Sequence, residues 1–488
     1  MRNRNSLSKN YIFNLLNKVI SLIIPLITVP YLTRVLGAKE LGIYNYTNTI
    51  ASYYLVVAMM GMTILGTKEI SLSRDLKTTD RVLSKLLLIQ IFNTIICILG
   101  YIVYIIFFCK DNKIIALIQL IYILSAIFDI TWFLQGLEKF KLIALRNIFV
   151  NIITTVLIFT LVKDNSDIII YTFIKCSSIL ISQIILIMSC LKNIHLIKPS
   201  IKEILFTYRK LFILFVPGIS ESIFHNMDRV MLGMFINYSS VAIYYTSRMI
   251  TDIPQCLITS INTVIYPRIT ALINMKNDIE VKKLTYFSFE IINALCIAMA
   301  FGIAVIARDF VQLYLGEEYQ YCATTIKWLA PYIVLAAWNG TIRYQFLLPN
   351  SMEKIYSKAV VIGIFFNLVF NVILIRELGV VGAIIATLIS EFITAIIQTK
   401  EAIKEMEILK HLRNMIFYFF SGVFMYIIIY KVNIVLECNL FFKLIIEILI
   451  GILVYSILTL IAIMIVDKSI RKEGYKIIKK YKNILIKY

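Results

Sequence analysis

Four ionisable residues lie close together in one apolar segment near the middle of the chain. Glu221, His225 and Asp228 follow at spacings of four and three residues, and Arg229 comes directly after Asp228. If the segment is helical, the first three side chains share one face and Arg229 lies one step round the helix. This polar strip can face a water-filled cavity that takes a charged ligand, or its acidic and basic groups can pair with each other.

Other apolar segments also contain ionisable residues, and a charge there costs several kcal/mol unless it is paired or faces water. We therefore treat each of them as a candidate site residue. A wet, positively charged interior that binds substrate would use the basic candidates, which are Arg34, Lys175, Arg229, Arg248 and Arg343. A coupling proton or sodium ion, or an ion-pair partner, would be bound by the acidic candidates, which are Asp129, Asp228, Asp252 and Glu391.

Several of these residues have a plainer explanation that the sequence leaves open. Arg248 and Asp252 are four residues apart on one predicted helix and can form a structural pair. Arg34 lies at the outer end of the first predicted helix, and Lys175 lies in the sixth, so both side chains can extend to a membrane interface. A single buried carboxylate such as Asp129 can pair with a neighbouring lysine or hydroxyl.

Catalytic and metal-binding motifs are absent from the sequence. It contains no Walker A, GxSxG, HExxH or CxxC pattern, and its three histidines and eight cysteines show no ligand spacing. Transport powered by this chain's own ATP hydrolysis is therefore not expected. No cofactor is predicted. A coupling H⁺ or Na⁺ is the one ion that the protein is considered to bind.

The elements that must position these residues are long apolar stretches. The chain has 488 residues and is 60% hydrophobic, whereas soluble domains are about 45–50% apolar. A bilayer core about 30 Å thick needs roughly 20 apolar residues per helix. The sequence therefore predicts an all-α integral membrane protein with about 14 transmembrane helices. The predicted spans are 11–33, 41–66, 84–108, 114–135, 143–163, 168–191, 209–236, 240–266, 284–306, 324–348, 356–375, 379–399, 412–430 and 441–466.

The charge distribution gives a topology. The net charge is +20, and alternating assignment of the loops, with the N-terminus inside, places most lysines and arginines on inside segments. This positive-inside pattern predicts a multi-pass protein with both termini in the cytoplasm, and the excess charge can attract anionic membrane lipids. Nucleic acid is not expected as a partner, because no soluble basic domain is present to bind it.

The chain also repeats itself. The segment Arg34–Gly37, followed by Gly42–Tyr44, resembles Arg229–Gly233 followed by Ala242–Tyr244. Six predicted helices separate the two copies, so both halves would enter the membrane in the same orientation. Parallel repeats of this kind are common in secondary transporters.

From the repeat we predict three regions. Residues 1–191 and 209–400 would form two six-helix lobes in parallel repeat, enclosing a central cavity. Residues 401–488 would form two appended helices and a basic cytoplasmic tail. The connection at 192–210 is predicted to be a linker that lies at the cytoplasmic interface.

Several motifs resemble those of bacterial oligosaccharide flippases, the polysaccharide-transport branch of the multidrug/oligosaccharidyl-lipid/polysaccharide exporter superfamily. The resemblance covers about residues 1–400, and the last two predicted helices match only in number. The motifs that carry it are Val29–Gly37 with Glu40–Tyr46, Asp129–Glu138, Asp228–Gly233 with Ile243–Tyr244, and Leu378–Ala383.

The resemblance implies a fold and a function. The fold would be MATE-like, with two lobes and a V-shaped cavity. The function would be to move an undecaprenyl-diphosphate-linked oligosaccharide from the inner to the outer leaflet of a bacterial cell membrane by alternating access, without covalent chemistry. A polysaccharide polymerase and glycosyltransferases are the expected protein partners. The residues Arg34, Asp228 and Arg229 lie in the matching motifs, so the resemblance implies that they are functional residues. The planar, forked guanidinium group of arginine suits recognition of a diphosphate.

Two other functions compete with this interpretation. A multidrug exporter coupled to a cation would share the fold, but its cationic cargo favours a carboxylate-rich cavity. A membrane enzyme, such as a polysaccharide polymerase or a glycosyltransferase, would normally need a sizeable exterior loop with catalytic residues. The longest such loop here is at about 307–323, which is short for that purpose.

Overall fold

The computed structural model describes residues 23–73, 75–109, 111–191, 197–403 and 405–466. Within these ranges all regular secondary structure is helical, which confirms the predicted all-α class. The α-helices are α1 (Ile23–Val35), α2 (Gly37–Met59), α3 (Met62–Leu72), α4 (Leu76–Phe107), α5 (Lys113–Leu124), α6 (Thr131–Gly136), α7 (Phe140–Leu161), α8 (Ile168–Leu191), α9 (Ile201–Phe235), α10 (Tyr238–Asn274), α11 (Asp278–Tyr314), α12 (Tyr321–Ile342), α13 (Glu353–Leu378), α14 (Val380–Ala402), α15 (Ile408–Val435) and α16 (Leu440–Val466).

Eleven helical segments of the described residues are long and apolar enough to cross a membrane. This confirms an integral membrane protein with many spans, while the predicted number of about 14 stays a prediction. The first predicted span, 11–33, lies partly outside the described residues, which contain only its later part in α1. The second predicted span is divided, because Met60 and Gly61 adopt positive φ angles of 39° and 73° between α2 and α3.

The fourth predicted span, 114–135, is interrupted although no proline or glycine marks the place. α5 gives way to a 3-10 turn at Ser125–Phe128, Asp129 is extended, and α6 then begins. The side-chain amide of Gln90 binds the carbonyl oxygens of Ala126 and Asp129 at 2.5 and 3.0 Å. Trp132 Nε1 donates to Gln90 Oε1 at 3.0 Å. A single buried amide on α4 therefore satisfies the backbone groups that the break exposes.

The predicted linker at 192–210 is partly wrong. α9 already begins at Ile201, because Ser200 accepts from the backbone of Glu203 and the Glu203 side chain accepts from the backbone of Ser200. This is a capping box. Arg81 also forms an ion pair with Glu203. The Ser200 N–H and the Arg81 charge lower the pKa of Glu203.

The chain divides into two compact units, which we call the first and the second unit. The first contains the chain up to Tyr245 together with Asn371–Val380, and the second contains Thr246–Phe370 and the chain from Val381 onward. The predicted lobes at 1–191 and 209–400 and the appended region 401–488 stay predictions.

Each unit has a close-packed interior. In the first unit the fully buried Trp132 ring packs so tightly against α3 that a Cβ at Gly66 would overlap it. In the second unit a Cβ at Gly422 would come within 2.5 Å of the Phe301 ring. Small residues at such contacts let helices approach closely, which is how membrane helices gain packing energy where lipid offers no hydrophobic driving force.

Candidate substrate and ion site

Asp228 lies on α9 and is only 2% exposed. Tyr244 on α10 donates its hydroxyl to Oδ2, and the Nδ2 of Asn371 on α13 donates to Oδ1 at 2.5 Å. All three residues belong to the first unit. Both oxygens of this buried carboxylate are therefore satisfied by neutral donors, so that Asp228 ties three helices together. Its predicted role as a coupling or ion-pair carboxylate stays a prediction.

Arg229, the next residue along α9, is half-buried. Its Nη1 donates to Asn226 Oδ1 at 2.9 Å, and its guanidinium stacks on the Tyr245 ring at 4.6 Å. Its Nε is buried and has no hydrogen-bond partner among the described residues. A carboxylate that forms an ion pair with it is likewise not found there. Neutral groups thus hold this arginine, and its planar donors stay available to an anion.

Arg248, Asp252 and Glu391 come close together in the second unit. Arg248 on α10 is 7% exposed, stacks on Tyr332 at 3.6 Å, and donates through Nε to Asp252 at 3.1 Å. Glu391 on α14 is also buried, accepts from Asn339 Nδ2 at 2.7 Å, and feels the charges of Arg248 and Asp252. The i, i+4 pair that the sequence left open is therefore present, with Asp252 46% exposed.

Arg343 opens a π-helical turn, Arg343–Leu347, that continues α12. It is half-buried, and its guanidinium carbon lies 4.2 Å from the ring centre of Tyr356 and 5.1 Å from that of Tyr344. Its buried Nε lacks a hydrogen-bond partner in the part of the chain that the structure describes. π-helical turns frequently mark functional sites. Arg229, Arg248 and Arg343 share one arrangement, a guanidinium stacked on a tyrosine ring.

The remaining candidates lie in different surroundings. Arg34 is exposed at the end of α1, and its Nη1 donates to the Pro30 carbonyl at 3.0 Å, as expected of an interfacial arginine. Lys175 is half-buried on α8. The sequence predicted that Asp129 lies inside a continuous helix, and this prediction is wrong. Asp129 occupies the break before α6, where its Oδ1 accepts from the Thr131 N–H at 2.8 Å.

The polar strip on α9 is only partly described, since the Glu221 side chain lies outside the described atoms. His225 is exposed and its ring lies 5.6 Å from that of Phe224.

Sequence reasoning missed Arg146 on α7. This arginine is 9% exposed and donates through Nη1 to Ser182 Oγ at 2.5 Å and to Gln183 Oε1 at 3.1 Å, both on α8. Ser182 and Gln183 are adjacent polar residues in an otherwise apolar predicted helix. They were the signal that could have identified a buried polar partner such as Arg146.

A family model described as "Polysaccharide biosynthesis protein" matches residues 7–273, which is more than half of the chain. The chain belongs to this family. This family and the relatives below confirm the predicted membership of the polysaccharide-transport branch.

Two curated relatives are similar to this chain over most of their length. A candidate O-antigen transporter of Shigella dysenteriae is 21% identical over 400 residues, which cover 81% of this chain and 99% of the relative. A candidate O-antigen transporter of Escherichia coli K12 is 25% identical over 402 residues, covering 79% and 94%.

Solved structures identify the fold. The lipid II flippase MurJ in an inward closed conformation aligns with a TM-score of 0.74 at 18% identity, over 93% of this chain and 99% of MurJ. An inward-facing multidrug resistance transporter of the MATE family aligns with a TM-score of 0.62 at 14% identity, over 79% and 95%. At these identities the likeness shows the fold alone, and it confirms the predicted MATE-like class.

Proposed function

We propose that this protein is a flippase that moves an undecaprenyl-diphosphate-linked oligosaccharide across the membrane by alternating access, for the synthesis of a surface polysaccharide. Family membership, relatives named as O-antigen transporters and a MurJ-like fold all support a transporter of lipid-linked sugars. No step of this function requires covalent chemistry. The sugar headgroup must lose its water on entering hydrocarbon, and polar residues in a cavity would replace that water.

The observation that carries the proposal is the state of Arg229. A half-buried arginine in a membrane protein is normally neutralised by a carboxylate, because an unpaired charge away from water costs several kcal/mol there. Arg229 instead rests on Tyr245 and Asn226, and its Nε lacks a partner within the described residues. A diphosphate supplies the missing negative charge, and guanidinium groups bind phosphate through parallel charge-assisted hydrogen bonds.

The other basic candidates extend this proposal. Arg248 and Arg343 are stacked on tyrosine rings in the same manner, and we assign both to substrate binding. We also assign Lys175 and Arg34 to the path of the headgroup. The tyrosines that support the arginines can also contact sugar rings.

The carboxylates would couple transport to an ion. Asp228 and Glu391 are buried and bonded to amide side chains, Asn371 and Asn339 respectively. Either carboxylate can exchange a proton or Na⁺ when its helices move, because these neutral donors do not cancel its charge. Asp252 and Asp129 would act as ion-pair or capping partners.

We place the protein in a bacterial cytoplasmic membrane with both termini in the cytoplasm. Glycosyltransferases that build the lipid-linked unit on the inner leaflet would precede it, and a polymerase on the outer side would use its product.

A vesicle assay tests the function directly. Purified protein is reconstituted with undecaprenyl diphosphate that carries a fluorescently labelled sugar on both leaflets, and a membrane-impermeant quencher is added outside. A flippase exposes the inner pool, so quenching should approach completion, whereas protein-free vesicles should keep about half of the signal. Half-protected signal in the presence of protein contradicts the proposal. Accumulation of a cationic dye, or sugar transfer, would instead favour a multidrug exporter or an enzyme.

A further inference from the structure

A hydrogen-bonded cluster of titratable residues lies inside the second unit. It consists of Glu290 on α11 and His411 and Tyr418 on α15, and we call it the His411 cluster. His411 Nδ1 lies 2.5 Å from Glu290 Oε1, and Tyr418 donates its hydroxyl to Glu290 Oε2 at 2.6 Å. His411 is 0% exposed and Glu290 is 4% exposed. Nothing in the proposed substrate path uses these groups.

The surroundings of the cluster are mostly aromatic. The His411 ring stacks on Phe289 at 4.4 Å and lies 4.9 Å from the Tyr286 ring. Among the described residues, the other titratable or charged groups that face it are Tyr286 from α11, Lys410 from α15 and Tyr455 from α16. The Nζ of Lys410 lies 4.1 Å from the Tyr286 ring centre, and Tyr455 interacts electrostatically with Tyr418. Phe289 belongs to an apolar core that also contains residues of four other segments. These are Trp338 of α12, Tyr356 of α13, Ala402 of α14 and Met406, which follows α14.

The protons in this cluster can be counted. Two lone pairs cannot face each other at 2.5 Å, so one proton lies between His411 Nδ1 and Glu290 Oε1. With Tyr418 donating to the other oxygen, Glu290 has the hydrogen bonds of a carboxylate. His411 Nε2 is buried and has no hydrogen-bond partner within the described ranges. With Nε2 unprotonated, the imidazole and the carboxylate together carry one negative charge, and a proton on Nε2 makes them neutral overall.

We propose that Nε2 of His411 is a proton-binding site, and that its occupancy controls how α11 and α15 pack together. A buried carboxylate facing a neutral imidazole leaves one negative charge in a low-dielectric interior, and a proton on Nε2 would neutralise it. The protonated pair then presents an N–H group that also needs a partner. The unprotonated pair lacks a positive charge, and the protonated pair lacks an acceptor for its N–H group. A small movement of α15 can provide either one, so proton binding would shift the equilibrium between two packing arrangements of α11 and α15.

A cavity lies beside the cluster. It has a volume of about 350 Å³ and is lined by Thr285 and Tyr286, and the Tyr286 ring lies 4.9 Å from the His411 ring. The hydroxyl of Thr285 is buried and has no hydrogen-bond partner within the described part of the chain. The charged residues that line the same cavity are Asp278, Lys282, Glu405 and Glu407.

The proton site can be tested without transport. The chain has three histidines, so His195→Gln with His225→Gln leaves His411 as the single one. This full-length protein, labelled with ¹⁵N-histidine in lipid nanodiscs, is followed by nitrogen NMR as the pH is lowered from about 8 to about 5. We expect Nε2 to change from unprotonated to protonated within that range. A single protonation state throughout would overturn the proposal.

Two substitutions in the same single-histidine protein distinguish a proton site from a merely structural contact. Glu290→Gln removes the charge that stabilises the imidazolium, so the midpoint of the titration should fall by at least about one pH unit, a tenfold loss of proton affinity. Tyr418→Phe removes a donor that stabilises the carboxylate, so the midpoint should rise. Shifts in the same direction, or no shifts, would overturn the assignment.

The consequence for transport rests on the proposed function, whereas proton binding does not. In the vesicle assay, His411→Gln should flatten the pH dependence of sugar-lipid movement. If no variant moves the lipid but Nε2 still titrates, the proposed function fails and the proton site stands. If Nε2 does not titrate while the lipid is moved, the proton site fails alone.

Discussion

Arg229 and Tyr245 form a stacked pair across α9 and α10, with the guanidinium carbon 4.6 Å from the ring centre. Stacking holds the flat guanidinium from one side and leaves the N–H groups at its edge free to point at a ligand. The Tyr245 ring therefore orients the Arg229 guanidinium, as a carboxylate would, but it does not neutralise the positive charge.

Tyr245→Leu should weaken transport while leaving Arg229 charged. Stacking of this kind contributes about 0.5–2 kcal/mol, so the rate at low substrate should fall by roughly 2- to 30-fold. The initial rate of sugar-lipid movement in vesicles checks this. Tyr245→Phe keeps the ring and serves as the matched control, and an equal loss in both variants would show that the hydroxyl matters rather than the stack.

Asn371→Ala should destabilise the first unit, because it leaves one oxygen of the buried Asp228 without its donor. Leaving a buried charged group without a hydrogen bond costs about 1–3 kcal/mol or more. The melting temperature in detergent should fall accordingly. The same substitution in an Asp228→Asn background should lower it less, since the charge is gone. Equal effects in both backgrounds would mean that the two residues do not interact.

Gln90→Leu should destabilise the break between α5 and α6. It removes the donors to two carbonyl oxygens and the acceptor of the Trp132 N–H, and each unsatisfied buried group costs about 1–3 kcal/mol. Thermal unfolding and limited proteolysis between α5 and α6 measure the effect. Gln312→Leu, at an exposed position of α11, is the control. Unchanged stability of the Gln90 variant would rule out this explanation of the break.

Gly42→Ala should disturb the approach of α2 to the start of α10. A Cβ at Gly42 would overlap the carbonyl oxygen of Tyr238, which is backbone and cannot turn away. Overpacking of this kind costs about 1–3 kcal/mol. Gly302→Ala is the matched control, because a Cβ there meets nothing within 4 Å, and alanine favours a helix by up to about 1 kcal/mol. Similar melting temperatures for both variants would contradict the close contact.

The sequence was informative wherever local pattern determines structure. Apolar length predicted the membrane class and most helices, and the motifs around Arg229 predicted the family. The start of α9 was also readable, because Ser200 and Glu203 have the spacing of a capping box. The predicted linker at 192–210 extended into α9 because this spacing was not interpreted as the start of a helix.

Features that depend on distant partners could not be predicted from one sequence. The break at Asp129 is stabilised by Gln90, 39 residues earlier, with no local glycine or proline. His411 showed no ligand spacing because its partner Glu290 is 121 residues away. Arg146 likewise depends on a second helix for its partners. A helix pattern tells which face is apolar, but it does not tell which neighbouring helix covers that face.

The central claim, that Arg229 recognises the diphosphate, is tested most directly by lipid binding to the purified protein. Binding of undecaprenyl diphosphate is compared with that of uncharged undecaprenol for the native protein, Arg229→Lys, Arg229→Ala and Arg376→Ala. Arg376 is the control because it is exposed and stacks on Phe235 at 4.9 Å.

The native protein and the Arg376 variant should prefer the diphosphate lipid. Arg229→Ala should lose about 10- to 100-fold of that preference, as expected for hydrogen bonds to a charged group, and Arg229→Lys should be intermediate. Equal binding of both lipids by the native protein, or an unchanged preference in Arg229→Ala, would contradict the account.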